Sequence, residues 1–112
     1  MYSKELTKGT LQPIILKLIN SRKKMYGYEI TQEVKKITSG KIDISEGALY
    51  PILHRLEAKG VLAIEKVFIG KRVRKYYTVT QSGKQMVAEV TREINNFIDT
   101  LDLIFNIETK TS

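Results

Sequence analysis

The last third of the sequence carries an apolar pattern that few small folds can satisfy. Apolar residues alternate at spacings of three and four from Val87 to Ile104, the heptad pattern of a helix with one apolar seam. The seam predicts a helix from Gln81 to about Ile107, roughly 40 Å long at 1.5 Å per residue. A small domain cannot cover that length from one side. We therefore expect part of the seam to meet a second copy of the chain, the alternative being that the helix folds back along its own domain.

The seam supplies the candidate dimerisation residues, which share one stripe of this helix. They are Val87, Val90, Ile94, Phe97, Ile98, Leu101, Ile104 and Phe105. We expect two parts in the chain: residues 1–80 as one domain, and residues 81–112 as a dimerisation helix with a short tail.

Two shorter helices are predicted upstream by apolar residues at helical spacing. Thr10 stands where it can cap the first helix, and Pro13 falls in its first turn, where no amide hydrogen is needed. In the second, around Ile30, Gly40 is well placed to end the helix in the left-handed conformation. Between these helices, Arg22–Lys24 is interpreted as an exposed polar link.

The segment "SEGALYPILHRLEAKG" predicts a third helix that contains both a glycine and a proline. Ser45 caps it and Gly60 ends it. Leu49, Ile52, Leu53 and Leu56 form one apolar stripe, and the opposite side displays Gly47, Pro51 and His54, flanked by Tyr50 and Arg55. Because Pro51 lies past the first turn, we expect it to remove one hydrogen bond and bend the helix.

The period of the pattern then changes from helical to alternating. "VLAIEKVF" (61–68) and "VRKYYTVT" (73–80) are rich in β-branched and aromatic residues, and "IGKR" separates them. They predict an antiparallel hairpin with a basic tip. Three helices followed by such a hairpin, with an amphipathic third helix, are the order of a winged helix-turn-helix. The predicted fold class is therefore mainly α with a β-hairpin wing, plus the long C-terminal helix.

Charge is distributed unevenly along the chain. Residues 1–80 hold 16 Lys and Arg against 7 Asp and Glu, a net charge of +9, whereas residues 81–112 hold 3 against 5, a net charge of −2. A basic domain favours a polyanionic partner, and nucleic acid fits better than a membrane surface. No signal-peptide or membrane-spanning pattern is present and the chain has no cysteine, so we expect a cytoplasmic protein.

The candidate DNA contacts lie on the third helix and the wing. They are Ser45, Gly47, Ala48, Tyr50, Pro51, His54, Arg55, Lys71, Arg72, Arg74 and Lys75. Arg55 has a bidentate fork suited to guanine or phosphate, although a salt bridge to a neighbouring carboxylate is an open alternative. The wing cations suit sequence-independent attraction to phosphate, and they also protect a sheet edge from aggregation.

Other function classes fit less well. One histidine, no cysteine and no glycine-rich nucleotide loop leave the usual catalytic, metal and phosphate-cradle patterns missing, so we expect neither an enzyme nor a cofactor or metal. A winged helix used for RNA or protein contacts without promoter specificity remains an alternative, since fold alone does not fix function.

Four motifs, "KGTLQPIILKLI", "YGYEI", "SEGALYPILHRLEAKG" and "RKYYTVTQSG", resemble the PadR family of bacterial transcriptional regulators, in its small subfamily with one C-terminal helix. The resemblance implies a dimeric repressor that binds double-stranded DNA at an inverted-repeat operator. It also implies that some members respond to a small hydrophobic ligand. Phe97 and Phe105 are candidate lining residues, but helix-interface packing explains both better, and the chain has no tryptophan to stack on a planar ligand. Ala48 stands where the family usually has threonine, and Val73 where it often has proline.

Overall fold

The computed structural model describes residues 2–105 of the chain. In that range it contains the following helices and strands: α1 (Lys4–Lys8), α2 (Leu11–Arg22), β1 (Lys24–Tyr26), α3 (Gly27–Ile37), α4 (Glu46–Ala58), β2 (Leu62–Ile69), β3 (Arg72–Val79) and α5 (Gln81–Phe105). The expected fold class, a mainly helical winged helix-turn-helix with a long C-terminal helix, is confirmed. None of the helices within residues 2–105 has the length and apolarity that crossing a bilayer requires.

The core lies where the apolar faces of α2, α3 and α4 meet the inner face of the sheet. The predicted stripe of α4, Leu49, Ile52, Leu53 and Leu56, is buried along its whole length. It packs with buried residues of the neighbouring elements, chiefly Ile15, Leu16, Ile19, Ile30, Val34 and Tyr77. Burial of this stripe fixes the rotation of α4 and so determines which of its residues face outward.

Helix α4 begins and ends as its sequence predicts. The Ser45 hydroxyl accepts a hydrogen bond from the Ala48 amide at 3.2 Å. At the other end Gly60 has a φ of +76°, and the Val61 amide bonds back to the Leu56 carbonyl at 2.9 Å. This is the arrangement in which a left-handed residue ends a helix and satisfies its last carbonyls.

The other two predicted caps differ in detail. Thr10 occupies the position before α2, but its hydroxyl donates to the Thr7 carbonyl at 2.7 Å instead of capping the helix. Helix α3 ends at Ile37, and the first left-handed residue after it is Ser39, with a φ of +53°, ahead of Gly40 at +79°. The chain turns this early because the Thr38 hydroxyl bonds both to α3 and to the Ile42 amide at 3.0 Å.

The sheet has one strand that the sequence pattern did not predict. Residues 22–24 were interpreted as a polar link, but Arg22 ends α2 and Lys24 starts β1, which pairs antiparallel with β3 in the order β1-β3-β2. The exposure prediction for this segment holds, since Arg22–Lys24 is exposed. Arg22 is paired with Glu33 at 2.9 Å and Lys24 with Glu65 at 3.1 Å, so both charges are satisfied within the chain.

The hairpin is tighter than expected. Ile69 pairs with Arg72, so the turn is the two residues Gly70 and Lys71 and each strand runs one residue nearer the tip than predicted. Gly70, the first central residue, has a φ of +65°, which suits the type II′ turn that hairpins favour.

Helix α5 divides its apolar seam between two environments. Near its start, Val87 is only 3% exposed and belongs to the core of its own chain, and Ile94 is half-buried beside α2. Further along, Phe97, Ile104 and Phe105 are between 55% and 69% exposed. The first part of the seam therefore packs on its own domain, which is the alternative to a purely intermolecular seam. The later part is exposed. The predicted end near Ile107 lies outside the described residues.

Candidate nucleic-acid interface

The outward face of α4 is open and carries little side-chain bulk. Gly47, Pro51 and His54 are exposed on the side opposite the buried stripe. A Cβ built on Gly47 would find Ser45 Oγ at 3.9 Å as its nearest neighbour, so no contact inside the chain requires glycine here. The first turn of α4 therefore offers backbone amides and a flat surface to an approaching partner.

Pro51 lies on this open face without ending the helix. Helix α4 runs unbroken from Glu46 to Ala58 through Pro51. Proline lacks an amide hydrogen, so the Gly47 carbonyl has no donor four residues on. Gly47 and Pro51 are both exposed, so this carbonyl lies on a side of the helix that a solvent molecule or a partner can reach.

Tyr50 occupies a more enclosed position than its neighbours on the helix. Its ring is half-buried against Gly27, the first residue of α3. A Cβ on Gly27 would lie 2.8 Å from Tyr50 Cζ, so only glycine allows this approach. On the other side, the Tyr50 and His54 ring centroids are 6.2 Å apart. Tyr50 thus links α3 to α4 and keeps one edge toward the open face.

Arg55 lies at the flank of α4, next to α2. Its Nη2 donates a hydrogen bond to Gln12 Oε1 at 3.3 Å. Within residues 2–105 this side chain bonds to a neutral amide and forms no salt bridge, so the alternative of a carboxylate partner does not hold there. Arg55 is exposed, and its other N–H donors are available to a phosphate or a base edge.

The wing cations are divided between the two faces of the hairpin. Residues directly opposite in an antiparallel pair share a face, so Lys75 lies with Lys66 on the face that continues into the core. Arg72 and Arg74 alternate onto the other face, and Lys71 lies in the turn. All four predicted wing contacts, Lys71, Arg72, Arg74 and Lys75, are exposed.

Arg74 is held in place by aromatic rings from two strands. Its guanidinium carbon lies 4.1 Å from the centroid of the Tyr26 ring. Tyr26 packs edge-to-face on Tyr76, its partner across β1 and β3, with centroids 5.4 Å apart and planes at 78°. Hydrogen bonding to Tyr76 raises the pKa of Arg74 and outweighs the desolvation that lowers it, and the electrostatic interaction with Tyr26 raises it further. The two rings therefore favour the charged form of Arg74.

The wing and α4 together enclose a cavity of about 440 Å³. The residues that line it come from β1, α3, α4 and both wing strands: Tyr26, Gly27, Tyr28, Tyr50, Ile69, Arg72, Val73, Arg74, Lys75 and Tyr77. Three of the predicted wing cations and one predicted residue of α4 thus converge on one concavity. Among residues 2–105 no acidic side chain lines it, so an anion that enters meets positive and neutral groups of the described part of the chain.

The structure brings some predicted residues together and leaves others apart. Gly47, Pro51 and His54 share the open face of α4, whereas Ser45 and Ala48 serve its first turn through their mutual hydrogen bond. Several residues at this surface were not predicted. Tyr26 and Tyr28 lie in "YGYEI", which gives no sign that it meets the wing, and Phe68 stands 74% exposed near the wing tip.

A comparison with protein-family models identifies the domain. The model described as the transcriptional regulator PadR-like family matches residues 15–89, which begin within α2, continue through β1, α3, α4 and the wing, and end within α5. Among sequence relatives, an uncharacterised protein of Lysinibacillus sphaericus is 37% identical over 106 residues, covering 92% of this chain and 94% of its own.

Solved structures agree with the family match. A PadR family transcriptional regulator from Eggerthella lenta is 31% identical and superposes with a TM-score of 0.79, over 92% of this chain and 88% of its own. Bacillus subtilis PadR in complex with operator DNA is 28% identical with a TM-score of 0.66, over 73% of this chain and 45% of its own.

Proposed function

Because the chain belongs to the PadR-like family of transcriptional regulators, we propose that it is a homodimeric repressor that binds an inverted-repeat operator. That it is a DNA-binding regulator of transcription and not an enzyme follows from the family. Dimerisation, repression and the individual DNA contacts go beyond what the family shows, and they make up the proposal.

One observation carries the proposal: the unobstructed face of α4 lies beside a wing whose cations have no acidic neighbours in the cavity between them. A helix face without bulk fits the major groove, about 12 Å wide, and wing cations suit the flanking phosphates or the minor groove. On this basis Gly47, Pro51 and His54 approach the groove, and Arg55 reaches the backbone or a base edge from the flank.

The exposed later part of α5 supports a symmetric dimer. Phe97, Ile98, Ile104 and Phe105 are each more than half exposed on a seam whose spacing suits a partner helix. We assign residues 1–80 to DNA binding and residues 81–112 to dimerisation. A two-fold axis through α5 would place the two copies of α4 on half-sites about 34–36 Å apart, or a multiple of that.

Repression by occupying a promoter in the bacterial cytoplasm is the simplest regulatory mechanism for such a dimer. A small hydrophobic ligand that relieves it is a secondary proposal, favoured by a groove of about 460 Å³ between α2, α3 and α5. The groove is lined mainly by apolar side chains, among them Ile14, Leu18, Ile37, Ile42 and Ile94. A ligand there would contact both the DNA-binding part and the start of α5.

The test is a titration of fluorescent duplex from the gene's own upstream region, with competitor RNA and unrelated duplex, at several salt concentrations. We expect specific duplex binding that weakens steeply with salt. Arg72→Ala should weaken binding to all duplexes, whereas Arg55→Ala should also change the sequence preference. Equal affinity for RNA would favour the alternative of an RNA-binding winged helix, and unchanged affinity in both variants would refute the assigned contact surface.

A further inference from the structure

On the outer face of the sheet, Tyr26 and Tyr76 each contact one cation. The two cations differ in their other contacts. Lys24 Nζ lies 5.3 Å from the centroid of the Tyr76 ring, and the Arg74 guanidinium lies 4.1 Å from that of Tyr26. Lys24 is also bonded to Glu65 Oε2 at 3.1 Å. Its charge is therefore neutralised within the chain.

Arg74 has a different set of neighbours. It lines the cavity between the wing and α4, to which residues 2–105 contribute no carboxylate. The acidic group that acts on it electrostatically is Glu29, whose effect is smaller than those of Tyr76 and Tyr26. The Glu29 carboxylate accepts a hydrogen bond from the Tyr26 amide at 3.3 Å, at the start of α3. The charge of Arg74 therefore remains available to an anion from outside the chain.

We propose that the cavity between the wing and α4 binds one backbone phosphate of DNA through Arg74, and that Tyr26 is the positioning residue that holds Arg74 ready for it. This inference rests on the proposed function. The Tyr26 ring lies against the guanidinium carbon and Tyr76 takes one hydrogen bond, which leaves the other N–H donors of Arg74 for the planar, bidentate bonding that phosphate favours. The ring also restricts the rotamers of the Arg74 side chain before DNA binds, so less side-chain entropy is lost on binding.

The cavity shape supports a phosphate at this place. Gly27 and the ring of Tyr50 form its wall next to α4, and Arg72 and Lys75 contribute further positive charge at the wing. A phosphate that lies between the wing and α4 would contact both parts that the proposed function assigns to DNA. Tyr26 thereby connects β1, the unpredicted strand, to the DNA interface.

The experiment compares full-length variants on a duplex of about 30 base pairs with unrelated sequence, since a phosphate contact does not depend on sequence. Tyr26→Leu removes the aromatic face, Tyr26→Phe keeps it, and Arg74→Ala removes the cation. Lys24→Met is the matched control, because it removes the cation from the other ring of the same pair. Binding is measured by fluorescence anisotropy between about 50 and 200 mM salt, and circular dichroism checks that each variant is folded.

We expect Tyr26→Leu to weaken binding about two- to fivefold, the range of an exposed cation–π contact, and Tyr26→Phe to restore most of it. Arg74→Ala should lower the salt slope by about one phosphate contact, and adding Tyr26→Leu to it should have no further effect. Lys24→Met should bind within about twofold of wild type, because Glu65 already neutralises that cation.

Two results would overturn the inference. One is a Tyr26→Leu effect that is undiminished in the Arg74→Ala background, because then Tyr26 does not act through Arg74. The other is a loss in Lys24→Met as large as in Arg74→Ala, because then the loss reflects general charge. Wild-type protein that binds no duplex at any salt concentration would instead refute the proposed function itself, so the two failures are distinguishable.

Discussion

Replacing Gly47 with alanine should raise the stability of the protein while weakening its binding to DNA. Gly47 is the second residue of α4 and is exposed, and an added Cβ would have Ser45 Oγ at 3.9 Å as its nearest contact, an ordinary van der Waals distance. Alanine is favoured over glycine in a helix by roughly 0.5–1 kcal/mol, and no clash offsets that gain here. We expect the free energy of unfolding to rise by about this amount.

The same methyl group should obstruct DNA. The proposed function places the first turn of α4 against the sugar-phosphate backbone, where glycine permits close approach. Forcing one extra carbon into a well-packed contact typically costs about 1–3 kcal/mol, which corresponds to a rise in Kd of about fivefold or more. A variant that is more stable but binds worse separates the role of this residue in binding from its role in folding.

The assay combines urea unfolding at a fixed protein concentration with anisotropy titration of the upstream duplex. Fixed concentration is necessary because the stability of a dimer depends on it. If Gly47→Ala is more stable and binds DNA within twofold of wild type, then the open face of α4 does not approach DNA closely and the reasoning is wrong. Loss of stability would contradict the free space seen around Gly47.

Three further predictions follow from other positions. Gly83→Ala should lower the free energy of unfolding, measured by urea titration, by about 1–3 kcal/mol. The added Cβ would meet the Val61 carbonyl oxygen and lie 3.0 Å from Val79 Cγ1. A variant as stable as wild type would contradict that packing. Phe97→Asp should convert the dimer to monomer in sedimentation experiments, because Phe97 is exposed on the proposed interface. Asn96→Asp adds the same charge at the next residue and should leave the dimer intact. A dimeric Phe97→Asp variant would exclude the later part of α5 as the interface. Burial raises the pKa of Tyr77, so its contribution to stability is complete below the unfolded-state pKa of about 10 and is lost as the pH rises through the folded-state pKa. Unfolding measured from pH 8 to 11 should therefore show a decline in wild type that is smaller in Tyr77→Phe, and parallel curves would assign the decline to other groups.

The helices were determined largely by the sequence, because the evidence for a helix is local. The stripe of α4, its Ser45 cap and its Gly60 end all depend on residues within one or two turns of each other, and each is where the pattern predicts it. The same holds for the wing, where alternation and a glycine turn predict a hairpin to within one residue at each end. The family resemblance draws on these same segments, and it is confirmed.

What only the tertiary structure decided depends on contacts between distant parts of the chain. Strand β1 is three residues long, too short to show a pattern, and it is a strand only because the free edge of β3 pairs with it. The seam of α5 is uniform in sequence, yet Val87 is buried and Phe97 exposed, because the domain ends partway along the helix. The approach of Arg74 to Tyr26 likewise arises only when β1 and β3 pair. Periodicity specifies which side of an element is apolar, whereas the packing of the whole chain determines what each side meets.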